Sequence, residues 1–341
     1  MSLAEAIKAE ARTLGFDAVG ISRVDESRTK FDVRSSEFSA NLEPRTTFTR
    51  LLYARLTEWL QRGYQGAMAW MTRDSARRSD PQLVLPGCRS VISVGMNYYT
   101  NNRANEKPGM GRIARYAWGK DYHLVMSRRL AQLESKIAAL APGVTTMSYS
   151  DTGPIMEKAW AQQAGLGWIG KHSNLVSADY GSWLLLGEVL TTLDLTEDEP
   201  ATDLCGSCTL CIQACPTGAI VEPYVVDARL CISYLTIELR GGREVISDEL
   251  APQMGNRIFG CDDCLDVCPF NLRADATNEP AFAPTPLTLA PSLDRLAQIG
   301  EADFSTTFKE SPLKRAKLSG LLRNVSIAQE NHRRQTGDRA S

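Results

Sequence analysis

Cys205-Gly-Ser-Cys208-Thr-Leu-Cys211-Ile-Gln-Ala-Cys215-Pro216 is the stretch on which the reading of this chain turns. Its spacing has a geometric reason. A compact loop must aim three thiolates at three corners of one iron–sulfur cube, and the two-residue gaps let the backbone wrap that cube. The fourth cysteine, before a proline, has turned away and ligates a second cube. A second run, Cys261-x2-Cys264-x3-Cys268-Pro269, repeats the end of the first without its opening cysteine, and Cys231 is the substitute. The crossed assignment follows. One [4Fe–4S] cluster takes Cys205, Cys208, Cys211 and Cys268; the other takes Cys215, Cys231, Cys261 and Cys264. Zinc sites use two C-x2-C pairs, or one such pair with two histidines, and this pattern does not fit them. A pair of clusters passes single electrons, but it does not say what is reduced.

The rest of the composition sets bounds. The chain has 341 residues, 43% hydrophobic and 23% charged, with a net charge of −2. That is an ordinary soluble globular composition, and it gives no whole-chain argument for nucleic acid or membrane. Nine cysteines in a chain of this size point to metal or redox chemistry rather than a disulfide framework. Cys88 stands apart from the others and reads as a small buried hydrophobe. Met1 to Gly20 has no basic segment followed by an apolar run, so no signal peptide is expected, and the expected location is the cytoplasm. The apolar stretch Trp183–Leu190 is interrupted by Gly187 and Glu188 and is too short to cross a bilayer. A monomer is the default expectation.

Outward from the cysteines, apolar spacing predicts helices over 3–14, 50–62, 123–140 and 155–164. It predicts strands over 18–22, 90–98 and 182–193, the second buried on both faces. Residues 25–45 read as a loop. Helices and strands alternate to about residue 195, so the first domain is α/β or α+β. The acidic stretch 196–203 is a natural boundary. The expected division is 1–195, a cysteine domain over 196–275, a linker and helical segment over 276–330, and a disordered tail over 331–341.

Gly165-Leu-Gly167-Trp-Ile-Gly170 matches G-x-G-x-x-G, but a predicted helix precedes it where a dinucleotide site needs a strand. His172 occupies the Ser/Thr position of a phosphate loop, so nucleotide binding is not expected. Lys171, His172, Ser173 and Asn174 do crowd donors against a flexible backbone, which suits a polar cofactor. Asp151, in Ser150-Asp-Thr-Gly-Pro154, reads either as the N-cap of a helix opened by Pro154 or as a proton donor. A helix N-terminus lowers a carboxyl pKa, so donation there needs burial to raise it again. With only His123, His172 and His332 in the chain, a multi-histidine metal site is excluded.

Several of these stretches together resemble one family. They are Asp151-Thr-Gly-Pro-Ile-Met-Glu-Lys158, Ala164 to Leu175, and the two cysteine runs, joined by Arg115-Tyr-Ala, Asp121-Tyr-His, Pro312-Leu-Lys-Arg and Leu322-Arg-Asn-Val. The combination is similar to the epoxyqueuosine reductases, over about residues 10 to 330. The resemblance implies a nitroreductase-like α/β (α+β) cobalamin-binding domain, a bacterial ferredoxin-like two-cluster domain and a short helical C-terminal segment. It implies reduction of the epoxide of epoxyqueuosine to queuosine at the tRNA wobble position, with base-off cobalamin fed by the two clusters and an external low-potential electron donor. Asp151 matches the family's proposed proton donor. Arg115, Asp151, Lys171, His172, Ser173 and Asn174 are the implied cobalamin contacts. Many members carry a longer C-terminal extension, and many have Ser/Thr-Ala where this chain has Thr152-Gly153.

Two basic segments bear on tRNA. Residues 312–341 carry seven Lys or Arg against two acids, and 103–129 carry seven against Glu106 and Asp121. On one face they would form a phosphate-binding patch; otherwise they are solvated surface. Two other readings stay open: a cobalamin reductase of a small molecule, of the reductive dehalogenase kind, and a non-catalytic ferredoxin-type carrier. The second leaves Asp151 and the Lys171–Asn174 loop without a purpose.

Overall fold

The computed structural model describes residues 1–24, 47–105 and 107–336. The loop expected over 25–45, Glu106 and the end of the expected tail, 337–341, lie outside the described residues. The chain forms two compact units. One comprises Met1–Asn97, His123–Cys208 and Glu222–Val225; the other comprises Tyr98–Tyr122, Thr209–Val221 and Val226–Ser341. This division differs from the boundary expected at 196–203, for two local reasons. Asp198 accepts hydrogen bonds from Lys8 Nζ at 2.6 Å and from the Ile21 N–H at 2.8 Å, which ties the acidic stretch to the first unit. The strand Arg112–Ile113 pairs in parallel with Arg257–Phe259, which ties a segment from the first half of the chain to the second unit.

The first unit is built on an antiparallel sheet in the order Ala18–Arg23, Ser90–Asn97, Leu184–Thr191, Thr146–Tyr149. All of Ser90–Asn97 is buried, because helices cover both faces. On one face Ala159 and Trp160 of the helix Glu157–Gln163 pack with Val91 and Leu190. Cys88 lies in the same cluster, fully buried. On the other face Met126 and Leu130 of the helix Tyr122–Leu140 approach Gly187. Helices packed on an antiparallel sheet make this unit α+β. Gly20 permits one close approach: a Cβ there would lie 1.9 Å from the Ala164 carbonyl oxygen, so the end of the Glu157–Gln163 helix rests directly on the strand.

The expectation that Asp151 caps a helix opened by Pro154 is corrected. The helix starts at Glu157 with Met156 as its N-cap, and residues 151–155 form a bend. The bend folds over a ring: a Cβ on Gly153 would lie 2.2 Å from Tyr149 Cγ. The glycine-rich segment opens no helix either. It leads into a two-stranded pairing of Trp168–Ile169 with Leu175–Val176.

The core of the second unit gathers Trp118, Phe259, Phe304, Phe308 and Leu313 around the helix Lys317–Thr336. The expected disorder from residue 331 is corrected: this helix continues through His332 to Thr336. Buried Asn331 anchors its last turns, donating to the carbonyls of Ala251 at 2.8 Å and Gly255 at 2.9 Å. The Leu322-Arg-Asn-Val stretch is structural. Arg323 donates to the carbonyls of Leu235 and Leu239, and Asn324 to those of Thr236 and Ile258, each at 2.9 Å. Among the described residues no helix is long and apolar enough to cross a membrane.

Candidate active site and cysteine centres

Four cysteines meet within the second unit. Cys215 ends the helix Leu210–Ala214, which packs against the helix Asp263–Asp266 that carries Cys264. The Cys264 thiol is pushed well up, first by burial and then by the neighbouring charges of Cys261, Cys231 and Cys215. Cys261 is pushed up to about 12 by burial and by Asp263. Half-buried thiols gathered around Cys264 whose charges oppose its ionisation make a donor set that suits a polycationic iron–sulfur core. The Ala219 N–H donates to Cys215 Sγ at 3.2 Å. Among the described residues no three His, Cys, Asp or Glu side chains converge on a single-ion site. A cube spreads its four thiolates over four irons, so its ligands need no such convergence.

The other four expected ligands divide between the units: Cys205 and Cys208 belong to the first, Cys211 and Cys268 to the second. In the first unit Trp168 Nε1 donates to Cys205 Sγ at 3.4 Å, and the Cys205 N–H donates to Asp203 Oδ1 at 2.7 Å. Lys171 also serves this loop. Its ammonium donates to the carbonyls of Gly206 at 2.6 Å and Cys208 at 2.9 Å.

The remainder of the Lys171–Asn174 loop is clamped from within the first unit. His172 is buried, with Nδ1 accepting the Asn174 N–H at 3.2 Å and Nε2 lying 3.4 Å from Ser182 Oγ. Burial, with the Lys158 charge, pushes its imidazole down to about 4, so it is neutral at physiological pH. Ser173, at φ 62°, donates through Oγ to the Tyr224 carbonyl at 2.7 Å. Lys158 Nζ donates to the Ser173 carbonyl at 2.8 Å and to Asn174 Oδ1 at 3.2 Å.

Asp151 sits on the bend after the strand Thr146–Tyr149, at φ 58°. Its carboxyl faces outward with 65% exposure, and Oδ2 lies 3.7 Å from His123 Nε2. Its backbone N–H donates to Glu157 Oε1. Behind Glu157 stands Glu188, buried in the middle of the strand Leu184–Thr191. Burial first, then the Asp151 charge, pushes Glu157 up to about 7, and Glu188 is pushed well above the carboxylate range by burial and by Glu157. No hydrogen-bond partner among the described residues reaches either oxygen of Glu188. Burial and the neighbouring Glu157 therefore favour its neutral form.

Arg115 lies in the second unit, apart from the Asp151 bend in sequence and in unit. Its N–H donates to Asp262 Oδ2 at 2.7 Å, its Nε is 3.5 Å from Asp266, and its guanidinium packs over Trp118 and Tyr99. Burial pushes Asp262 up to about 6 against the pull of that N–H. The same unit holds a cavity of about 380 Å³ lined by Lys107, Arg112, Asn256, Arg257, Asn331 and His332, among others. It brings together residues of both basic segments. Arg112 and Arg257 there also pair with Asp263.

Sequence reasoning missed Glu157, Glu188, Lys158 and Trp168. The signal for Glu188 was present as a lone acid inside an apolar strand, where it was read only as an interruption of a hydrophobic run.

An α+β unit with an exposed acid on a strained bend, joined to two cysteine runs, defines an iron–sulfur oxidoreductase. The family profile described as 4Fe-4S double cluster binding domain matches residues 204–271, and that described as Epoxyqueuosine reductase QueG, DUF1730 matches 78–152. The chain is 47% identical over 272 residues to the epoxyqueuosine reductase of Synechocystis sp., covering 80% of this chain and 93% of that one. It is 44% identical to that of Gloeobacter violaceus, covering 94% of both, and 40% identical to that of Escherichia coli, covering 96% of this chain and 81% of that one. The chain belongs to the epoxyqueuosine reductase family. The crystal structure of an epoxyqueuosine reductase with an epoxyqueuosine-modified tRNA-Tyr stem loop superposes with a TM-score of 0.84 at 30% identity, covering 97% of this chain and 82% of that one. A Bacillus subtilis epoxyqueuosine reductase, with its catalytic loop swung out of the active site, gives 0.83 at 29% identity, covering 98% and 82%.

Proposed function

We propose that this chain reduces the epoxide of epoxyqueuosine to the alkene of queuosine at the wobble position of tRNA. The observation that carries the reading is the pairing of an exposed carboxyl on a held bend with a full complement of cluster cysteines, in a chain of this family. The reaction breaks two carbon–oxygen bonds and releases the oxygen as water, which takes two electrons and two protons. The cysteine sets Cys205, Cys208, Cys211, Cys268 and Cys215, Cys231, Cys261, Cys264 would hold the clusters that pass electrons singly from an external low-potential donor.

Base-off cobalamin, when bound, supplies low-potential chemistry at carbon. The Lys171–Asn174 loop would present an immobilised backbone to such a polar group, held in shape by Lys158 and the neutral His172, while Lys171 and the Ser173 hydroxyl already donate within the unit. Asp151 is placed to hand a proton to the leaving alkoxide; its carboxyl is exposed here, so the burial that donation needs would come from the bound substrate. The cavity carrying Lys107 and Arg112 is the surface we assign to the tRNA backbone.

The test is an anaerobic assay on tRNA containing epoxyqueuosine, using protein loaded with iron, sulfide and cobalamin and a chemical reductant. Queuosine should appear in the digested tRNA. Loaded protein that leaves epoxyqueuosine unchanged would overturn the reading.

A further inference from the structure

We propose that Glu157 is a positioning residue that holds the Asp151 bend by accepting a hydrogen bond from the Asp151 backbone N–H. This rests on the reading of Asp151 as the proton donor.

The bend needs holding. Asp151 is a non-glycine residue at φ 58°, a conformation that costs energy and persists only where its surroundings over-determine it. Its side chain does not supply the hold, because it points outward toward His123. The backbone contact to Glu157 supplies it, from the first turn of a helix whose Trp160 is anchored in the core. Glu157 in turn needs orienting. It is half-buried, and desolvation pushes its carboxyl up. Glu188 is the group behind it, on the strand next to Thr146–Tyr149, in register with Tyr149 and with Ser93. Ser93 Oγ also has no partner among the described residues. A buried acid in a central strand, with only another acid for company, is destabilising unless it has a purpose.

The charged groups around the pair do not replace this contact. Lys158, next on the helix, is turned to the Ser173 carbonyl and Asn174. Arg78 and His123 face Asp151 rather than the pair. The result is a hydrogen bond from the Asp151 backbone to the first turn of the helix, with Glu188 buried behind it.

The test compares Glu157→Leu, which keeps the volume but accepts no hydrogen bond, with Glu157→Gln, whose carbonyl oxygen still accepts. Both are examined in the cluster-loaded, cobalamin-loaded protein. Amide hydrogen exchange of a peptide containing Asp151 reads the hold directly. Glu157→Leu is expected to speed that exchange and to lower kcat about tenfold to a hundredfold with KM little changed, as for a misplaced catalytic group. Glu157→Gln is expected to keep the exchange slow and to recover at least about tenfold of the kcat lost in the leucine variant. The proposal is overturned if Glu157→Leu exchanges at the wild-type rate, or if the glutamine and leucine variants behave alike. If the wild-type protein itself fails to reduce epoxyqueuosine in tRNA, the functional reading fails, while the exchange measurement still decides the hold.

Discussion

His123 Nε2 stands 3.7 Å from Asp151 Oδ2, linking the start of one helix to the bend that follows a strand. The proton donor proposed above thus has an imidazole beside it. Asp151→Asn is expected to leave iron content and cobalamin uptake intact and to lower epoxide reduction by about a hundredfold or more, the scale of general acid catalysis. His123→Gln removes a partly exposed partner and is expected to cost within about fivefold. Quantifying queuosine in digested tRNA measures both, and full activity in the asparagine variant ends the role given to Asp151.

The cysteine assignment is checked by metal counting. Cys264→Ser removes a thiol from the set that meets in the second unit, and iron is expected to drop from about eight to about four per chain. Cys88→Ala, in a dry cluster beside Val91, is expected to retain about eight. Equal iron in the two variants would contradict the assignment.

The acid pair sets a pH dependence whose sign can be worked out. Folded Glu157 binds its proton below about 7, against an ordinary value of 4.5, so between these values the folded chain holds more protons than the unfolded one. Stability from this group is therefore fully present at low pH and lost as pH rises through that window. Glu157→Gln carries no such burden. It is expected to be more stable than wild type near pH 8 by on the order of 1–3 kcal/mol, with the gap closing toward pH 4, in denaturant titrations under anaerobic conditions.

Lys107 lines the basic cavity of the second unit. Lys107→Glu is expected to weaken tRNA binding and to reduce the slope of log affinity against log salt by about one, if its ammonium neutralises one phosphate. An unchanged slope would remove this cavity from the tRNA surface.

Asn324 is fully buried and bridges the carbonyls of Thr236 and Ile258. Thr236 Oγ1 in turn accepts the Gly260 N–H, beside Cys261. Asn324→Leu strands two acceptors and is expected to cost about 1–3 kcal/mol. Iron retention on dilution should fall with it; a variant as stable as wild type would refute the bridging role.

Much of this was legible in the sequence, for reasons tied to particular residues. The strand Ser90–Asn97 was found because a run of apolar residues flanked by polar loops has nowhere to go but a covered sheet. The helix Phe48–Gln61 was found within two residues because Leu51, Leu52 and Leu56 recur on one face. The cysteine runs were legible because cube ligation is local in sequence. The bend at Asp151 was not, since Pro154 signals a helix start that the packing of Gly153 on Tyr149 delays to Glu157. The unit boundary was hidden too. Only a long-range pairing such as Arg112–Ile113 with Arg257–Phe259 reveals it, and short strands carry no signal of their partners. Glu157 and Glu188 lie 31 positions apart in the numbering, so no local pattern joins them.

The ammonium of Lys171 carries one last consequence. It reaches from the loop at the proposed cofactor to the turn between Cys205 and Cys208, closing on two carbonyls of that turn. An insertion between Cys205 and Cys208 would carry those carbonyls away from the lysine, so a change of length in the turn is also felt at the loop that Lys171 opens.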